Sequence, residues 1–363
     1  CPNAELPYRL PSIVQNPKTR IVVNCAGRTR SILGAQTLIN FGISNPVVAL
    51  ENGTQGWVLA GFELERGAER KYPEAIDAST LPALQASARK LMDRFAIRSA
   101  SAATVQTWLR DGNRTTYLCD VRTPDEFEAG AIPGSVHAPG GQLIQATDQW
   151  VGVRGSRVVL IDGGENIRAP VVASWLKQMG FEPWVLEGGI RSGLRHSPPS
   201  PPTLPALPEI PVDRLKRELD AGRCSVLDLG ASTDFRKAHI PGSRWSARVR
   251  IREDARKAHD AIVLSAADSN IARLAAIELF DAGVTDVKLL DGGLAAWTHA
   301  GYPTESSPVD PPAAECIDYL FFVHDRHAGN REAMKQYLAW ETGLLAQLDE
   351  EERAAFRVGP PRG

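Results

Sequence analysis

One stretch of sequence occurs three times in this chain, and the repeat constrains the fold more than any other feature. The copies begin at Leu50, Leu186 and Leu290, and the clearest of them reads Leu290-Asp-Gly-Gly-Leu-Ala-Ala-Trp297. Each copy closes the same series of patterns, namely an apolar strand-like run, a short loop, a helical stretch and a second strand-like run. Strands that alternate with helices are typical of α/β domains with a parallel sheet. The sequence therefore predicts an array of related α/β domains.

The repeat gives positions for the elements next to each loop. It predicts central strands at 21–23, 158–161 and 262–264, helices at 31–41, 169–179 and 271–282, and second strands at 47–50, 183–186 and 287–290. A second signature lies upstream in two of the copies. It comprises 118–127 with the Ile-Pro-Gly turn at 132–134, and 226–235 with the same turn at 240–242. The first copy lacks this upstream half, so we expect the sequence to begin inside a domain of a longer protein.

These patterns divide the chain into domains, linkers and a tail. We predict a domain at 1–73 that lacks its N-terminal half, a helical linker at 74–97, a domain at 98–196, a Pro-rich linker at 197–208, a domain at 209–307 and a helical C-terminal tail at 308–363. Residues 317–322 and 332–348 of the tail have helical patterns, and their apolar positions could cover a domain or a partner.

Composition and charge exclude several classes of function. The net charge of −2 gives no overall attraction to nucleic acid or to anionic membranes. No apolar run approaches the length of a membrane span, and the start of the sequence does not resemble a signal peptide. The five cysteines are widely and irregularly spaced, which favours a reducing compartment and hence a cytoplasmic location. Their spacing suggests no metal site.

The loop after the first strand carries the best candidate for a nucleophile. The apolar run 21–23 leads to Cys25, which is followed by Ala26-Gly-Arg-Thr-Arg30 and a helical pattern. A cysteine before a helix N-terminus lies among backbone N–H groups at the positive end of the helix dipole. Together with Arg28 and Arg30, this potential favours the thiolate over the thiol. The alternative reading, a small buried apolar cysteine, remains open for the loop taken alone.

Taken together, the motifs resemble the rhodanese-type sulfurtransferases in their tandem multidomain form. The matching pieces are Asp120-Val-Arg122 with Glu126-Phe127, the turns at 132–134 and 239–242, the Cys25–Arg30 loop and the Gly-Gly-x-x-x-Trp ending. The resemblance implies repeated rhodanese-like domains of the α/β class. Each would have a five-stranded parallel sheet with helices on both faces, here followed by a helical C-terminal tail.

The resemblance also implies a chemistry and a set of site residues. A small anionic donor, such as thiosulfate or a mercaptopyruvate-like compound, would give sulfur to Cys25 as a persulfide, and cyanide or a thiol would accept it. The loop residues Ala26, Gly27, Arg28, Thr29, Arg30 and Ser31 would bind the substrate, and no cofactor or metal would be needed. The basic loop favours thiosulfate, and its six residues fit sulfur better than the seven-residue loop of the related phosphatases.

The corresponding loops of the other two domains lack the nucleophile. Asp162, or Gly163 if one residue is inserted, takes the place of Cys25 in the second domain, and Ser265 takes it in the third. An aspartate cannot form a persulfide, and a serine without an activating base is a weak nucleophile. We expect both domains to be inactive and to act as scaffold, with binding of a cation or an acceptor protein as the alternative.

Other residues are expected to have structural roles. We interpret Asp120, Arg122 and Glu126 as an ion-pair network that holds a strand against a helix start. Cys119 and Cys224 are expected to be buried and inert. Trp57 and Trp297 are expected to fill core space behind their sheets, with a position at the border of the active cleft as the alternative for Trp57.

Two other functions stay open at the level of sequence. One is a non-catalytic rhodanese-like scaffold or sulfur-relay binding protein, which would agree with the two degenerate loops. The other is an arsenate reductase or phosphatase, which the six-residue loop disfavours. An acceptor protein or a second copy of the chain is left open as a partner, whereas nucleic acid and membrane are not expected as partners.

Overall fold

The computed structural model describes residues 1–197, 200, 203–258 and 261–357. The chain forms two compact units, one of Cys1–Pro199 with Gly329–Gly363 and the other of Ser200–Ala328. The Pro-rich linker predicted at 197–208 lies partly outside the described residues.

The first unit contains the first two copies of the repeat. Its elements up to residue 197 are α1 (Leu6–Ile13), β1 (Ile21–Val23), α2 (Thr29–Phe41), β2 (Val47–Ala49), α3 (Gly53–Leu59), α4 (Leu81–Phe95), β3 (Arg98–Ala100), α5 (Ala102–Trp108), β4 (Thr116–Asp120), α6 (Pro124–Ala129), β5 (Val136–His137), α7 (Gly140–Gln145), β6 (Arg157–Ile161), α8 (Arg168–Gln178) and β7 (Glu182–Leu186). Short 3₁₀ helices lie at Asn3–Glu5, Ala78–Thr80, Thr147–Gln149 and Gly189–Arg191.

A parallel five-stranded sheet forms the centre of this unit, in the order β3-β7-β6-β4-β5. The central strand β6 is apolar along almost its whole length, and Val158 to Ile161 are completely buried. Continuous apolar runs of this kind are typical of parallel strands covered by helices on both faces. Helices α4 and α8 pack on one face, and α5 packs on the other.

The first copy of the repeat has a smaller sheet. Strands β1 and β2 pair in parallel as a two-stranded sheet, with Ile21 opposite Val47. Helix α2 covers one face, where Val23 and Leu38 are buried in a small core. Val22 and Val48 on the strands remain 52% and 44% exposed. The five-stranded sheet implied for each domain is therefore present in the second and third copies, and the first copy has two strands.

Helix α4 occupies most of the segment predicted as a helical linker. The helix spans Leu81–Phe95, and Leu84, Ala88, Leu91 and Phe95 on one face are buried against the core that includes α8. The spacing of these residues places them along one side of a helix. One face of this helix is thus part of the core of the first unit.

The second unit contains the third copy. Its elements are β8 (Glu209–Ile210), α9 (Val212–Asp220), β9 (Cys224–Asp228), α10 (Ser232–Lys237), β10 (Arg244–Trp245), α11 (Ile251–Ala255), β11 (Ala261–Ser265), α12 (Ser269–Asp281), β12 (Val287–Leu290), α13 (Gly293–His299) and α14 (Phe321–Asp325), with 3₁₀ helices at Arg248–Arg250 and Arg326–Ala328. The parallel sheet has the order β10-β9-β11-β12-β8, which repeats the topology of the first unit. Apolar cores lie on both of its faces.

The last two helices belong to the first unit. They are α15 (Arg331–Gln347) and α16 (Glu350–Ala355). The helical segment predicted at 332–348 agrees with α15 to within one residue. The prediction at 317–322 was wrong for most of its length, because residues 317–320 form turns and loops and a helix begins only at Phe321.

The structure confirms the predicted α/β class, the parallel five-stranded sheets and the helical C-terminal segment. Among the described residues, no helix has the length and apolar character needed to cross a membrane.

Candidate active site

Cys25 lies on a short loop between β1 and α2. The strand ends at Val23 and the helix begins at Thr29, which is two residues before the predicted start. The earlier start follows from the contacts of Arg28, whose carbonyl accepts hydrogen bonds from the Ser31 hydroxyl at 2.8 Å and the Ile32 N–H at 3.2 Å. Thr29 and Arg30 therefore lie in the first helical turn. The N–H groups of this turn have no partner within the helix and therefore favour an anion.

The glycine of the repeated motif holds this loop in place. Gly53 begins α3 with a φ of +57°, and a Cβ on it would lie 2.1 Å from the carbonyl oxygen of Cys25. The next two N–H groups donate to the loop, Thr54 to Cys25 O at 2.9 Å and Gln55 to Ala26 O at 3.0 Å. Only glycine permits this approach, because any side chain would overlap the loop backbone. The motif is evident in the sequence, but nothing in its spacing indicates this role beside Cys25.

The other copies use the same contact. A Cβ on Gly189 would lie 2.3 Å from Asp162 O, and one on Gly293 would lie 2.8 Å from Ala266 O. Both glycines have a positive φ, of +50° and +57°. The glycine in each repeat thus supports the loop that follows the central strand, whatever that loop contains.

Two arginines give the Cys25 loop a positive charge. Arg28 is half-buried and Arg30 is exposed. Within the described part of the chain, neither guanidinium lies within ion-pair distance of a carboxylate. Both charges are therefore available to an anion near the loop.

The C-terminal helix α15 covers the loop, a contact that the sequence analysis did not predict. Glu341 Oε1 accepts hydrogen bonds from the Thr29 N–H at 2.8 Å and from the Thr29 hydroxyl. The ring of Tyr337 packs so closely on Gly27 that a Cβ there would lie 2.6 Å from Tyr337 Cε1. Arg331 donates to the carbonyls at the end of α3. The amphipathic pattern of the tail indicated a surface that covers something, but it could not indicate which one.

The corresponding loop of the second domain is occupied by its own carboxylate. Asp162 is 1% exposed and accepts hydrogen bonds from the N–H groups of Gly164, Ile167 and Ala169 at 2.9, 3.0 and 3.2 Å. The side chain of Asp162 thus accepts from all three of these amides. The loop therefore contains a fixed anion in place of a nucleophile.

In the third domain Ser265 is buried at the end of β11. Asp268 caps α12 by accepting a hydrogen bond from the Asn270 N–H at 2.9 Å. The loop places a carboxylate at the helix start, where the Cys25 loop has Arg28 and Thr29. Neither sister loop combines a thiol with cations.

The ion-pair network predicted for Asp120, Arg122 and Glu126 is present only in part, because Glu126 pairs with Arg168 instead of Arg122. Arg122 and Asp120 form a buried ion pair of 2.6 Å beside β4. Glu126 caps α6 and pairs with Arg168 at 2.6 Å. Burial would raise the pKa of Glu126, but the hydrogen bonds and charge of Arg168, together with Thr123, lower it to about 2.

Arg168 connects Glu126 to other parts of the first unit. Its guanidinium is 1% exposed and also bonds Glu165 at 2.9 Å and Glu5 at 3.1 Å. Burial alone would lower the pKa of Arg168, but the hydrogen bond of Glu126 and the surrounding carboxylates raise it. The network therefore joins the start of the chain to the second domain.

Three of the other four cysteines are buried. Cys119 is completely buried, and burial together with Asp120 raises its pKa to about 12. Burial also raises the pKa of Cys224, and Cys316 is buried. The predicted burial of Cys119 and Cys224 is confirmed. Cys1 is exposed and Cys25 is partly exposed, so only these two thiols among the described residues are open to solvent.

The tryptophans of the first and third repeats share local contacts but differ in burial. The indole N–H groups of Trp57 and Trp297 each donate at 2.8 Å to a carbonyl six residues later. Trp297 is 1% exposed, as predicted, whereas Trp57 is 41% exposed. The prediction for Trp57 was wrong, because the two-stranded sheet of the first repeat provides no core deep enough to enclose the ring.

Comparison with known proteins gives the family. A family model described as a rhodanese-like domain matches residues 101–195 and 211–300. A crystal structure of a thiosulfate sulfurtransferase from Pseudomonas aeruginosa is 40% identical, with a TM-score of 0.75, and the match covers 99% of this chain and 69% of that chain. No curated protein matches the chain.

Single domains give weaker matches. A crystal structure of an Anabaena sp. protein is 27% identical over 27% of this chain and 82% of its own, with a TM-score of 0.25. The solution structure of a rhodanese-like domain, also from Anabaena sp., is 27% identical over 31% of this chain and 90% of its own, again with a TM-score of 0.25. The family model and the 40% identical structure decide the assignment. The chain belongs to the rhodanese family, with its domains in tandem.

Proposed function

We propose that the chain is a sulfurtransferase that carries sulfur on Cys25. The observation that carries the proposal is the difference between the three loops, all of which lie within the described residues. The Cys25 loop alone has a thiol and two unpaired guanidinium groups, whereas the Asp162 loop contains its own buried anion. The 40% identity to a thiosulfate sulfurtransferase supports thiosulfate as the donor.

The proposed reaction has two displacements on sulfur. The Cys25 thiolate attacks the outer sulfur of thiosulfate, a new S–S bond forms, and the original S–S bond breaks with its electron pair leaving on sulfite. The terminal sulfur of the persulfide is then attacked by cyanide or by a thiolate. A C–S or S–S bond forms, and the electron pair of the persulfide bond returns to Cys25 as the thiolate. No net oxidation or reduction of the protein occurs over the cycle.

The loop would serve both steps through its positive potential. The N–H groups from Ala26 to Ser31 would stabilise the thiolate and then the anionic persulfide. Arg28 and Arg30 would orient the sulfonate end of the donor through charge-assisted hydrogen bonds. We place this chemistry in the cytoplasm on the basis of the cysteine pattern.

Thiocyanate formation from thiosulfate and cyanide tests the proposal. We expect turnover by the parent chain, none by Cys25→Ser, and parental turnover by Cys1→Ser. Cys1 is the matched control because it is the other solvent-accessible thiol. Turnover that survives in Cys25→Ser would contradict the assignment of the sulfur to this residue.

A non-catalytic scaffold or sulfur-relay binding protein is the second candidate. It is favoured by the two loops without a nucleophile and by the two-stranded sheet beside Cys25, where Val22 and Val48 are exposed. This function predicts that the parent chain forms no thiocyanate under conditions in which it is folded.

A further inference from the structure

The anion-binding start of α2 already holds an anion from the chain itself. Glu341 Oε1 accepts both the N–H and the hydroxyl of Thr29. The N–H groups of a first helical turn have no partners within the helix and favour negative charge. The proposed donor would need the same positive potential. The Glu341 carboxylate and a sulfur-donating anion therefore require the same hydrogen-bonding groups of the loop.

Contacts along helix α15 hold the Glu341 carboxylate in position. Arg331 donates to Val58 O and Leu59 O, both at 2.9 Å, and so attaches the start of α15 to the end of α3. Met334 is 6% exposed, and Tyr337 packs on Gly27. Helix α15 is therefore docked along the first repeat, and Glu341 meets the loop as a consequence.

The bond between Glu341 and the loop leaves one oxygen unsatisfied. Glu341 Oε2 is buried and has no hydrogen-bond partner among the described residues. A buried carboxylate oxygen without a partner carries a cost of desolvation that is not repaid. An anion that accepts more hydrogen bonds from the loop than Glu341 does could therefore replace the Glu341 carboxylate.

The second domain provides a comparison within the molecule. Asp162 satisfies three loop amides and is 1% exposed, but it belongs to the loop and cannot leave it. Glu341 lies 312 residues from Thr29 in sequence and reaches the Cys25 loop from a separate helix. The same type of interaction, a carboxylate on loop amides, is thus permanent in one domain and separable in the other.

We propose that Glu341 is an internal competitor for the anion site of the Cys25 loop, so that helix α15 and the donor anion bind there alternately. The proposal rests on the proposed function for the identity of the donor, but the competition itself concerns any small anion. It assigns to the C-terminal helix the control of access to Cys25.

The test compares a charged and a neutral reagent at the same thiol. Rates of Cys25 alkylation by iodoacetate and by iodoacetamide are measured by peptide mass spectrometry on the full chain. Glu341→Gln removes the charge and keeps the shape, and we expect it to raise the iodoacetate-to-iodoacetamide rate ratio about tenfold, the size of one charge-assisted hydrogen bond. Glu332→Gln is the matched control, because Glu332 lies on the same helix with its side chain 82% exposed.

A second variant loosens the helix without touching the loop. Arg331→Leu removes the two hydrogen bonds to the end of α3, and we expect it to raise the same ratio. An unchanged or lower ratio in folded Glu341→Gln and Arg331→Leu would overturn the proposal, as would an equal rise in Glu332→Gln.

Thiosulfate kinetics separate this proposal from the function on which it rests. If the parent chain forms thiocyanate, Glu341→Gln should lower the KM for thiosulfate about tenfold, a change that corresponds to one such hydrogen bond. If the parent chain forms none while the alkylation ratio still rises, the proposed function fails and the competition stands. If the parent chain turns over and neither the ratio nor the KM changes, the competition fails and the function stands.

Discussion

The contact between Gly53 and the Cys25 loop gives the sharpest prediction about how the fold supports the site. Gly53 has a φ of +57°, and an alanine Cβ would lie 2.1 Å from Cys25 O and 2.4 Å from Gly27 O. Both of these atoms belong to the backbone and cannot rotate away. In Gly53→Ala the loop must therefore shift relative to α3, and the hydrogen bonds from Thr54 and Gln55 must lengthen or break.

The magnitude follows from two separate costs. An alanine in the left-handed region costs about 1–2 kcal/mol. Overlap with a packed backbone adds about 1–3 kcal/mol. Gly61 provides the matched control, since its φ is +90° and nothing lies within 4 Å of a Cβ there. Gly61→Ala should therefore carry the conformational cost alone, and the difference between the two variants should measure the overlap.

Two assays check this prediction. Hydrogen exchange over residues 21–59 gives the free energy of local opening, which should fall by about 1–3 kcal/mol more in Gly53→Ala than in Gly61→Ala. Sulfur loading by thiosulfate should fall more than about tenfold in Gly53→Ala because Cys25 moves relative to the helix N-terminus. Equal opening energies and equal loading in the two variants would refute the view that Gly53 positions the loop.

Three further predictions concern the charges of the molecule. Arg168→Met leaves Glu126 and Glu165 without their cation and removes one of the two cations of Glu5, which keeps Arg9. It should lower the free energy of unfolding by about 3–5 kcal/mol, as measured by urea unfolding, and a loss below that of an average surface substitution would contradict the network. The pKa of Glu126 is lowered from 4.5 to about 2, so its ionised form stabilises the folded chain above pH 4.5 and this contribution is lost as the pH falls towards 2. The difference in the free energy of unfolding between the parent and Glu126→Gln should therefore shrink as the pH falls below 4.5. A difference independent of pH would exclude the ion pair as its source. Arg28→Ala should raise the KM for thiosulfate about tenfold, the value of one charge-assisted hydrogen bond, and an unchanged KM would remove Arg28 from the donor site.

The sequence predicted well those features that depend on short-range patterns. The apolar runs around Val158 and Ile262 and the glycine motifs predicted two strands and one helix of each repeat to within one or two residues. The family assignment rested on the same motifs and is confirmed. Such patterns succeed because a buried parallel strand requires an unbroken apolar run, and the glycine that meets a loop carbonyl has no substitute.

The features that the sequence did not predict depend on partners far away in the chain. The contact of Glu341 with Thr29 joins positions 312 residues apart, and nothing near either residue indicates the other. Trp57 and Trp297 were both expected in a core, but only Trp297 is buried, because burial depends on how many strands surround the ring. The motif fixes the local hydrogen bond, whereas the neighbouring elements decide the exposure.

The two loops without a cysteine were predicted in part, because the sequence indicated the lost chemistry but not its structural cause. The presence of Asp162 predicted the loss of sulfur chemistry from residue type alone. The structure adds a physical reason, since the Asp162 carboxylate accepts the hydrogen bonds of the N–H groups that an anionic substrate would need. Glu341 makes a similar contact at the Cys25 loop, where its carboxylate accepts a loop N–H from a separate helix.

The position of the transferred sulfur decides whether Cys25 is the sulfur carrier. After treatment with thiosulfate and removal of excess donor, the intact mass of the chain should rise by one sulfur atom, and peptide mapping after alkylation of the persulfide should place that atom on Cys25. Sulfur found on Cys1 instead, or an unchanged mass in a chain shown to be folded, would contradict the account.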